Sequence, residues 1–392
     1  MLRKKLALIA MPLVLALVVD RAVAVFALDD GVFRGERVAP FDPPLFNESQ
    51  RESLRRFEAW LAGRGELVGA MRHDPELGWA PPRSGGEGEF RYDERGARVS
   101  PVAADPTGRR VFVFGDSFVH GDEVAAADTF PARLARTTGW VVSNFGVSGY
   151  GLDQAVLRAR RVLAEHAADD VWLCFVPATA LRVVNLYGPV LRHDDATISF
   201  KPRFVLGDAG SLRLIANPAA DPTVVPRLLA DAEVFEEAVG RYETFVVRWP
   251  QAYAKLGSHW SHAFATGRIL WTRLERGERF PDEWLDDPES EPSRVLLELI
   301  TTCSAEVTAR GARFRLVVLP DGRSLRRREA RNGHAYWDGL VASVRERGID
   351  VIDLTEPLLA AGLQQTPEFW APLGHYTAKT ADLAAEAAAT PR

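Results

Sequence analysis

The sequence predicts an α/β fold, a doubly wound parallel sheet with helices on both of its faces. From Arg109 onward, strand-like and helix-like segments alternate, which is typical of parallel sheets wrapped by helices. The first strand, Val111 to Phe114, carries four bulky apolar side chains in a row, as expected of a strand buried on both faces. An irregular stretch of about a hundred residues then separates the third strand from the fourth, so we expect an insertion there.

The predicted elements follow one another in a regular order. Before the insertion they are the strand RRVFVFG, the helix TFPARLARTTG, the strand WVVSNFG, the helix LDQAVLRARRVLAEHAA and the strand VWLCFV. After it come the helix SRVLLELITTCSAEVTARG, the strand RFRLVVLP, the helix AYWDGLVASVRERG, the strand DVIDL and the helix YTAKTADLAAEAAA. The insertion mixes strand-like FKPRFVLGDAGSLRLI with helix-like WSHAFATGRILWTRLERG. Upstream, NESQRESLRRFEAWLAGRG predicts a helix, and HDPELGWAPPRSGGEGEF predicts irregular, extended chain.

The N-terminus has the features of an export signal. MLRKK precedes an apolar run from Leu6 to Val19, which Asp20 and Arg21 separate from a second run, AVAVFAL. A positive leader before a short apolar stretch is typical of a secretory signal, and Ala22-Val23-Ala24 would serve as its cleavage site. The same segment would serve as a membrane anchor if it is retained, with the rest of the chain outside the cytoplasm.

These features divide the chain into five predicted parts. They are a signal peptide or membrane anchor (residues 1–28), an N-terminal extension rich in Pro, Gly and Arg (29–108), the first part of the sheet domain (109–185), the insertion (186–292) and the second part of the sheet domain (293–392).

Composition excludes several classes of protein. The net charge of −5 provides no basic surface for nucleic acid, so no nucleic-acid partner is expected. The chain has two cysteines, Cys174 and Cys303, and neither lies near the clustered Cys and His ligands that a zinc site needs. The sequence implies no metal and no organic cofactor. Cys174 lies within VWLCFV, so we expect a buried thiol.

Segments that are distant in sequence are predicted to meet at one edge of the sheet. Ser117 follows the first strand, NFGVSGYG the second and PATALRVVN the third, while His375 precedes the last helix. Ligands of open α/β sheets bind at the carboxyl ends of the strands. A serine becomes a nucleophile beside a base, usually histidine, and the N–H groups of a glycine-rich loop suit an oxyanion hole. The pattern predicts a serine-based catalytic site.

The sequence resembles the SGNH, or GDSL-type, hydrolases. GDS at Gly115 to Ser117 is similar to their first block, NFGVSGYG to their second, and GHYTAKTADLAAEA to the region of their catalytic histidine, all in the family's order. HDPELGWAPP is similar to a segment of membrane-anchored bacterial members. The resemblance covers roughly residues 70 to 390, with the insertion only loosely matched, and implies a flavodoxin-like hydrolase fold.

The resemblance also implies roles for individual residues. Ser117 would be the nucleophile and His375 the general base. The oxyanion donors would be the backbone N–H groups of Ser117 and Gly149 and a side chain from the third block. The family has an Asn in that last role, whereas this sequence has Thr179, with Asn185 six residues later.

A second departure concerns the acid that orients the histidine. The family places an Asp two or three residues before the histidine, where this sequence has Leu373 and Pro372. Glu368 or Asp353 would be a substitute acid, or a backbone carbonyl would orient His375 instead. Asp116 is interpreted as a structural loop residue. His120 and Asp122 lie close enough to Ser117 in sequence to contact a ligand, although most such loop side chains are solvated.

The expected function is that of an exported serine esterase or acyl-transfer enzyme. It would act on ester groups, O-acetyl groups of a cell-surface glycan or a small ester, through an acyl-Ser117 intermediate. The resemblance favours anchoring to a bacterial inner membrane, with the rest of the chain in the periplasm. The alternative is a degenerate protein of the same fold that binds glycan or assists envelope polysaccharide assembly. Thr179 and Leu373 favour that alternative, and the geometry around His375 distinguishes the two.

Overall fold

A computed structural model of the chain describes residues 2–27, 32–33, 36–37, 48–64, 71–102, 105, 107–191, 196–207, 210–242, 261–263, 266–267, 281–363 and 366–390. The chain divides into two compact units. One comprises Met1–Arg64, Tyr187–Ser199 and Thr223–Arg279, and the other comprises Gly65–Leu186, Phe200–Pro222 and Phe280–Arg392. The second unit contains the parallel sheet and all of the predicted site residues.

The strands and helices are numbered in chain order. The strands are β1 (Val32–Phe33), β2 (Glu36–Arg37), β3 (Arg72–Asp74), β4 (Gly78–Ala80), β5 (Gly85–Glu87), β6 (Phe90–Tyr92), β7 (Arg110–Phe114), β8 (Val141–Asn144), β9 (Asp170–Phe175), β10 (Arg203–Leu206), β11 (Leu212–Ile215), β12 (Arg313–Val318) and β13 (Val351–Asp353). The α-helices are α1 (Leu2–Phe26), α2 (Glu48–Leu61), α3 (Ser117–His120), α4 (Phe130–Thr138), α5 (Leu152–Glu165), α6 (Val225–Ala230), α7 (Ala232–Ala238), α8 (Glu291–Ala309), α9 (Gly322–Ala330), α10 (Asp338–Glu346), α11 (Thr355–Ala360) and α12 (Ala378–Ala389). Short 3-10 helices span Ala126–Asp128, Pro177–Val184, Gly188–Val190, Pro222–Val224, Gly240–Tyr242, Pro281–Asp286 and Pro367–Phe369.

The central sheet confirms the predicted fold class. Its five strands lie in the order β13-β12-β9-β7-β8, and every neighbouring pair is parallel. This is the strand order of flavodoxin-like doubly wound sheets, in which the order reverses beside the first strand of the sheet. The reversal lies between β7 and β9, so the loops that follow these two strands flank the crevice where such sheets bind ligands.

Strand β7 is covered on both faces of the sheet, which explains the unbroken run of apolar residues in its sequence. Val111 and Val113 pack into a core with residues of α4, α9, α11 and α12. Phe112 and Phe114 alternate with them on the opposite face, where both rings contact Phe145. All four side chains are buried, as the sequence predicted. Cys174 is likewise a buried free thiol.

The segment predicted as irregular chain before the sheet is more ordered than expected. β3 pairs with β4, and β5 with β6, as two antiparallel hairpins. The first turn is held by Asp74, whose Oδ1 accepts the backbone N–H groups of Glu76 and Leu77 at 3.0 and 2.9 Å. Strands of three residues are too short to show a period of two, which is why the pattern missed them.

The insertion and the helices agree in part with the prediction. FKPRFVLGDAGSLRLI contains the antiparallel hairpin β10–β11. Most of WSHAFATGRILWTRLERG lies outside the described residues. Helix α9 was not predicted, because GRSLRRREA shows no apolar stripe. Asp321 caps its first turn, since the Asp321 carboxylate accepts the N–H of Ser324.

The N-terminal segment forms the helix α1. Asp20 Oδ1 accepts the Ser261 hydroxyl at 2.7 Å and the Ala263 N–H at 3.0 Å, so the partner of this carboxylate is a later segment of the same unit. Within the described part of the chain, no helix has both the length and the apolar character needed to cross a membrane. Cleavage or retention of the segment stays a prediction.

Gly146 is a position where the fold requires the absence of a side chain. A Cβ there would collide with the backbone nitrogen of His120 and with Val119. We expect Gly146→Ala to lower the free energy of unfolding by about 2 kcal/mol or more, measured by urea denaturation. Gly339→Ala is the matched control. A Cβ at Gly339 meets open space within α10, so this change should be neutral or stabilise by up to about 1 kcal/mol. Equal unfolding curves for the two variants would contradict the prediction.

Candidate active site

Ser117 is held at the carboxyl edge of the sheet by a sharp strand-to-helix turn. It is the first residue of α3, three residues after the end of β7. Asp116 caps this helix, its Oδ1 accepting the Phe118 N–H at 3.0 Å. Gly121 ends the helix with a φ of 82°, a conformation that favours glycine. The sequence therefore specifies a single helical turn that presents the Ser117 hydroxyl beside the point where the strand order reverses.

His375 approaches Ser117 from the loop before α12. Its Nε2 lies 2.8 Å from Ser117 Oγ, within hydrogen-bond distance. The backbone of this loop is closed by the N–H of Ala371, which donates to the carbonyl of His375 at 2.9 Å. The Phe118 ring packs against the imidazole with 5.0 Å between ring centroids. The predicted pair of nucleophile and base is thus brought together from positions 258 residues apart.

The other imidazole nitrogen contacts an acid that the sequence analysis did not single out. His375 Nδ1 lies 2.6 Å from Oε2 of Glu123. The same carboxylate accepts the backbone N–H of Leu373 at 2.8 Å and that of His375 at 3.3 Å. Glu123 therefore fixes both the imidazole ring and the loop that carries it. It also selects the tautomer with the proton on Nδ1, which leaves Nε2 free to accept the serine proton.

The surroundings of Glu123 keep its carboxyl ionised. Burial alone would raise its pKa, but the hydrogen bonds from the Leu373 N–H and from the side chain and N–H of His375 outweigh burial and hold the pKa below its usual range. The carboxylate consequently persists as pH falls through values where an ordinary glutamate becomes protonated.

The two acids proposed from sequence do not occupy this position. Glu368 forms an exposed ion pair with Lys379 at 2.8 Å. Asp353 Oδ1 accepts the Thr355 N–H at 2.9 Å at the end of β13. The correction has a simple physical reason. A carboxylate can reach His375 from any neighbouring loop, and Glu123 lies in the turn just after the nucleophile. Its place six residues beyond Ser117 was the available signal.

Two backbone N–H groups near the nucleophile lack acceptors. Among the hydrogen bonds of the described residues, neither the Ser117 N–H nor the Gly149 N–H donates to a protein atom. The loop that carries Gly149 runs beside the serine turn, since the Val147 N–H donates to the Gly115 carbonyl at 3.1 Å. Gly149 has a φ of 78°, which turns its peptide in a way few other residues adopt. This arrangement agrees with the oxyanion role predicted for both groups.

Thr179 is placed differently from the prediction. It lies in the 3-10 helix after β9, and its hydroxyl donates to the Val176 carbonyl at 3.0 Å. A hydroxyl has one proton to donate, so this local bond competes with any role in the oxyanion hole. Asn185, the other candidate of the third block, is a buried residue at the end of the same 3-10 helix.

The buried Asp116 forms an ion pair beside Ser117 with Arg182, which is only half-buried. Arg182 Nη1 lies 3.6 Å from Asp116 Oδ2 and donates to the Tyr150 carbonyl at 3.0 Å. Burial raises the pKa of the Asp116 carboxyl, although the Arg182 charge and the Phe118 N–H oppose that shift. The interpretation of Asp116 as a structural residue agrees with its capping bond. Arg182 was missed because an arginine in a helical segment carries no catalytic signal.

Taken together, the arrangement can activate a serine hydroxyl. His375 Nε2 can take the hydroxyl proton, and Glu123 can stabilise the resulting imidazolium. The two unpaired N–H groups can stabilise an oxyanion on a carbonyl that Ser117 attacks. No cluster of three or more His, Cys, Asp or Glu side chains in the described ranges is arranged to hold a metal ion.

Comparisons with known proteins return matches only among solved structures. No protein-family model matches the sequence, and no curated protein is a significant match. A structure of a lipolytic protein of the G-D-S-L family from Desulfitobacterium hafniense DCB-2 is 12% identical with a TM-score of 0.34, over 71% of this chain and 97% of that one. A G-D-S-L family lipolytic protein from Veillonella parvula DSM 2008 is 12% identical with a TM-score of 0.32, over 71% and 94%. Likenesses this weak carry no argument about function.

The role of Glu123 can be tested on the reactivity of Ser117. We expect Glu123→Gln to slow labelling of Ser117 by a fluorophosphonate probe on the order of a thousandfold or more, because the amide neither fixes the Nδ1 tautomer nor stabilises the imidazolium. Labelling rates are measured by mass spectrometry of the intact protein. Glu368→Gln, which removes the same charge from an exposed ion pair, should label at the wild-type rate. The assignment is wrong if the two variants label equally fast.

Proposed function

We propose that this protein is a serine enzyme that hydrolyses or transfers ester-linked acyl groups through an acyl-Ser117 intermediate. The observation that carries the proposal is the chain of two hydrogen bonds in which His375 joins Ser117 at 2.8 Å and Glu123 at 2.6 Å. This order of nucleophile, base and acid is the arrangement that converts an unreactive hydroxyl into a nucleophile at neutral pH.

The reaction would proceed in two halves. In the first, Ser117 Oγ attacks the ester carbonyl while His375 Nε2 takes its proton, and the N–H groups of Ser117 and Gly149 stabilise the oxyanion. His375 then passes that proton to the departing alcohol, leaving an acyl-serine. In the second half, water or another hydroxyl attacks the acyl group as His375 takes its proton. The proton returns to Ser117 Oγ as the bond to the acyl group breaks.

The choice between hydrolysis and transfer depends only on the acceptor of the acyl group. Water gives an esterase, and a sugar hydroxyl gives an O-acyltransferase. We propose O-acetyl esters of a cell-surface glycan as the substrate class, with small esters as simpler substrates. The alternative, a protein that binds glycan without turnover, is less well supported. A binding protein has no need of an ionised carboxylate on the far side of a histidine that contacts a serine.

A cavity beside the histidine loop supports a substrate larger than a simple ester. It has a volume of about 800 Å³, and its lining includes Arg323, Arg326, Trp370, Leu373 and Gly374. Leu373 and Gly374 directly precede His375, and the Leu373 side chain is 81% exposed. One wall is apolar and aromatic, while the start of α9 provides charged side chains. A sugar has both apolar ring faces and hydroxyl groups, so it matches the two kinds of wall.

The nucleophile provides the first test of this proposal. We expect a fluorophosphonate probe to label the wild-type protein at Ser117 and Ser117→Ala to abolish labelling, because the probe reacts only with an activated hydroxyl. Ser343→Ala is the control, since the Ser343 hydroxyl donates to the Gly339 carbonyl within α10 and has no imidazole partner. Wild-type protein that is folded and unlabelled would favour the binding alternative. Labelling that survives in Ser117→Ala would assign the chemistry to another residue.

The cavity provides a second test. We expect Arg323→Ala to lower kcat/KM for an O-acetylated oligosaccharide by about tenfold, the loss of roughly one hydrogen bond to a charged group. The loss should be clearly smaller for p-nitrophenyl acetate, which is too small to reach along the cavity. Arg294→Ala, which removes an exposed arginine from α8, should change neither value. Equal losses for both substrates in Arg323→Ala would remove the cavity from substrate binding.

A further inference from the structure

A second carboxylate beside the triad joins two catalytic loops. Asp122 Oδ1 lies 2.5 Å from His120 Nδ1, and its Oδ2 accepts the Ser148 hydroxyl at 2.6 Å. Asp122 directly precedes Glu123, the acid that orients the catalytic histidine. Ser148 directly precedes Gly149, whose N–H is a predicted oxyanion donor. Through its bond to Ser148, Asp122 therefore links the loop that carries Glu123 to the loop that carries Gly149.

His120 is itself held rigidly, so the bridge has a fixed end. It is 2% exposed, and its Nε2 lies 2.9 Å from the hydroxyl of Tyr92. The imidazole stacks on the Phe90 ring with 5.6 Å between centroids and 7° between planes. Tyr92 and Phe90 belong to β6, in the hairpin that precedes the sheet. The hairpin therefore fixes the position of the ring to which Asp122 is bonded.

The backbone of the same loop is held by Arg98. Its Nη1 donates to the carbonyls of His120 and Gly121, both at 2.6 Å, and its Nη2 to the carbonyl of Val124 at 3.0 Å. Arg98 is 3% exposed, and its own N–H donates to the Asn144 carbonyl at 2.8 Å at the end of β8. A tight turn whose carbonyls are satisfied by a buried guanidinium has little freedom to move.

We propose that Asp122 is a positioning residue of the catalytic site: it holds the Glu123 loop and the Gly149 loop in register. The proposal rests on the bridge that Asp122 forms from His120 to Ser148. The proposal deepens the esterase function and rests on it for its catalytic consequence.

The ionisation of Asp122 agrees with that role. Burial would raise the pKa of Asp122, but the hydrogen bonds from His120 and Ser148 and the charges of His120 and His375 hold it below its usual range. An ionised carboxylate accepts hydrogen bonds with both of its oxygens, so it can hold His120 and Ser148 at the same time.

A structural readout tests the bridge and needs no turnover. The full chain is labelled with ¹⁵N, and the backbone amide resonance of Gly149 is followed by NMR. We expect Asp122→Ala to shift this resonance, because the loop that carries Gly149 loses the acceptor of the Ser148 hydroxyl. Asp350→Ala is the matched control. It removes a carboxylate at the amino end of β13, the opposite edge of the sheet, and should leave the resonance unchanged.

Kinetics test the bridge. We expect Ser148→Ala, which leaves the charge of Asp122 in place, to lower kcat for p-nitrophenyl acetate about tenfold with little change in KM, because a displaced oxyanion donor acts mainly in the transition state. Ser148→Thr keeps the hydroxyl and should restore most of the lost rate. If Ser148 served stability alone, Ser148→Ala would change the unfolding midpoint but would not lower kcat while leaving KM nearly unchanged.

The outcomes separate the inference from the function on which it rests. An unchanged Gly149 resonance in Asp122→Ala would overturn the bridge, whether or not the protein turns over an ester. Wild-type kcat in Ser148→Ala would overturn its catalytic consequence, and this variant decides the matter if Asp122→Ala fails to fold. A wild-type protein that labels with no fluorophosphonate would refute the esterase function. The Gly149 resonance would still decide whether Asp122 holds the two loops together.

Discussion

The hydrogen bond between His375 and Glu123 is the interaction on which the rest of the site depends. It joins two loops that are 252 residues apart, and the same carboxylate also receives the backbone N–H groups of Leu373 and His375. Three bonds to one acid fix the loop, the ring orientation and the tautomer together. Without them the imidazole could rotate away from Ser117, and the serine would be an ordinary buried hydroxyl at the end of a strand.

The position of the Glu123 carboxylate depends on the conformation of the turn that carries it. Residues outside the sheet hold that turn. Arg98 satisfies three of its carbonyls, and His120 is fixed between Tyr92 and Phe90 of a short hairpin. Buried hydrogen bonds of this kind are strong because water does not compete for them. Removing one partner leaves a buried polar group unpaired, which lowers the stability of the turn. The extension before the sheet therefore supports the turn that carries Glu123.

The proposed oxyanion donors are mainly backbone groups. In the described part of the chain the N–H groups of Ser117 and Gly149 have no protein acceptor, whereas the Thr179 hydroxyl donates to the Val176 carbonyl. Removing one donor from an oxyanion hole costs about 3 kcal/mol of transition-state binding, so a hole with two donors would be slower than one with three. The half-buried Arg182 beside Asp116 adds a positive charge nearby, but its guanidinium is already bonded to the Tyr150 carbonyl.

The sequence by itself predicted the sheet, and it singled out Ser117 and His375, which the structure brings together. An apolar run such as Val111 to Phe114 can be buried on both faces only in a covered sheet, and a strand followed by Gly-Asp-Ser places the serine at its edge. Tertiary structure alone decided which acid contacts His375, because sequence spacing does not show which of Glu123, Glu368 and Asp353 reaches the imidazole. It also assigned the short hairpins and the bonds of Arg98. Those depend on long-range contacts between brief segments that have no periodicity of their own, and a hydrogen bond requires a distance and an angle that sequence spacing does not specify.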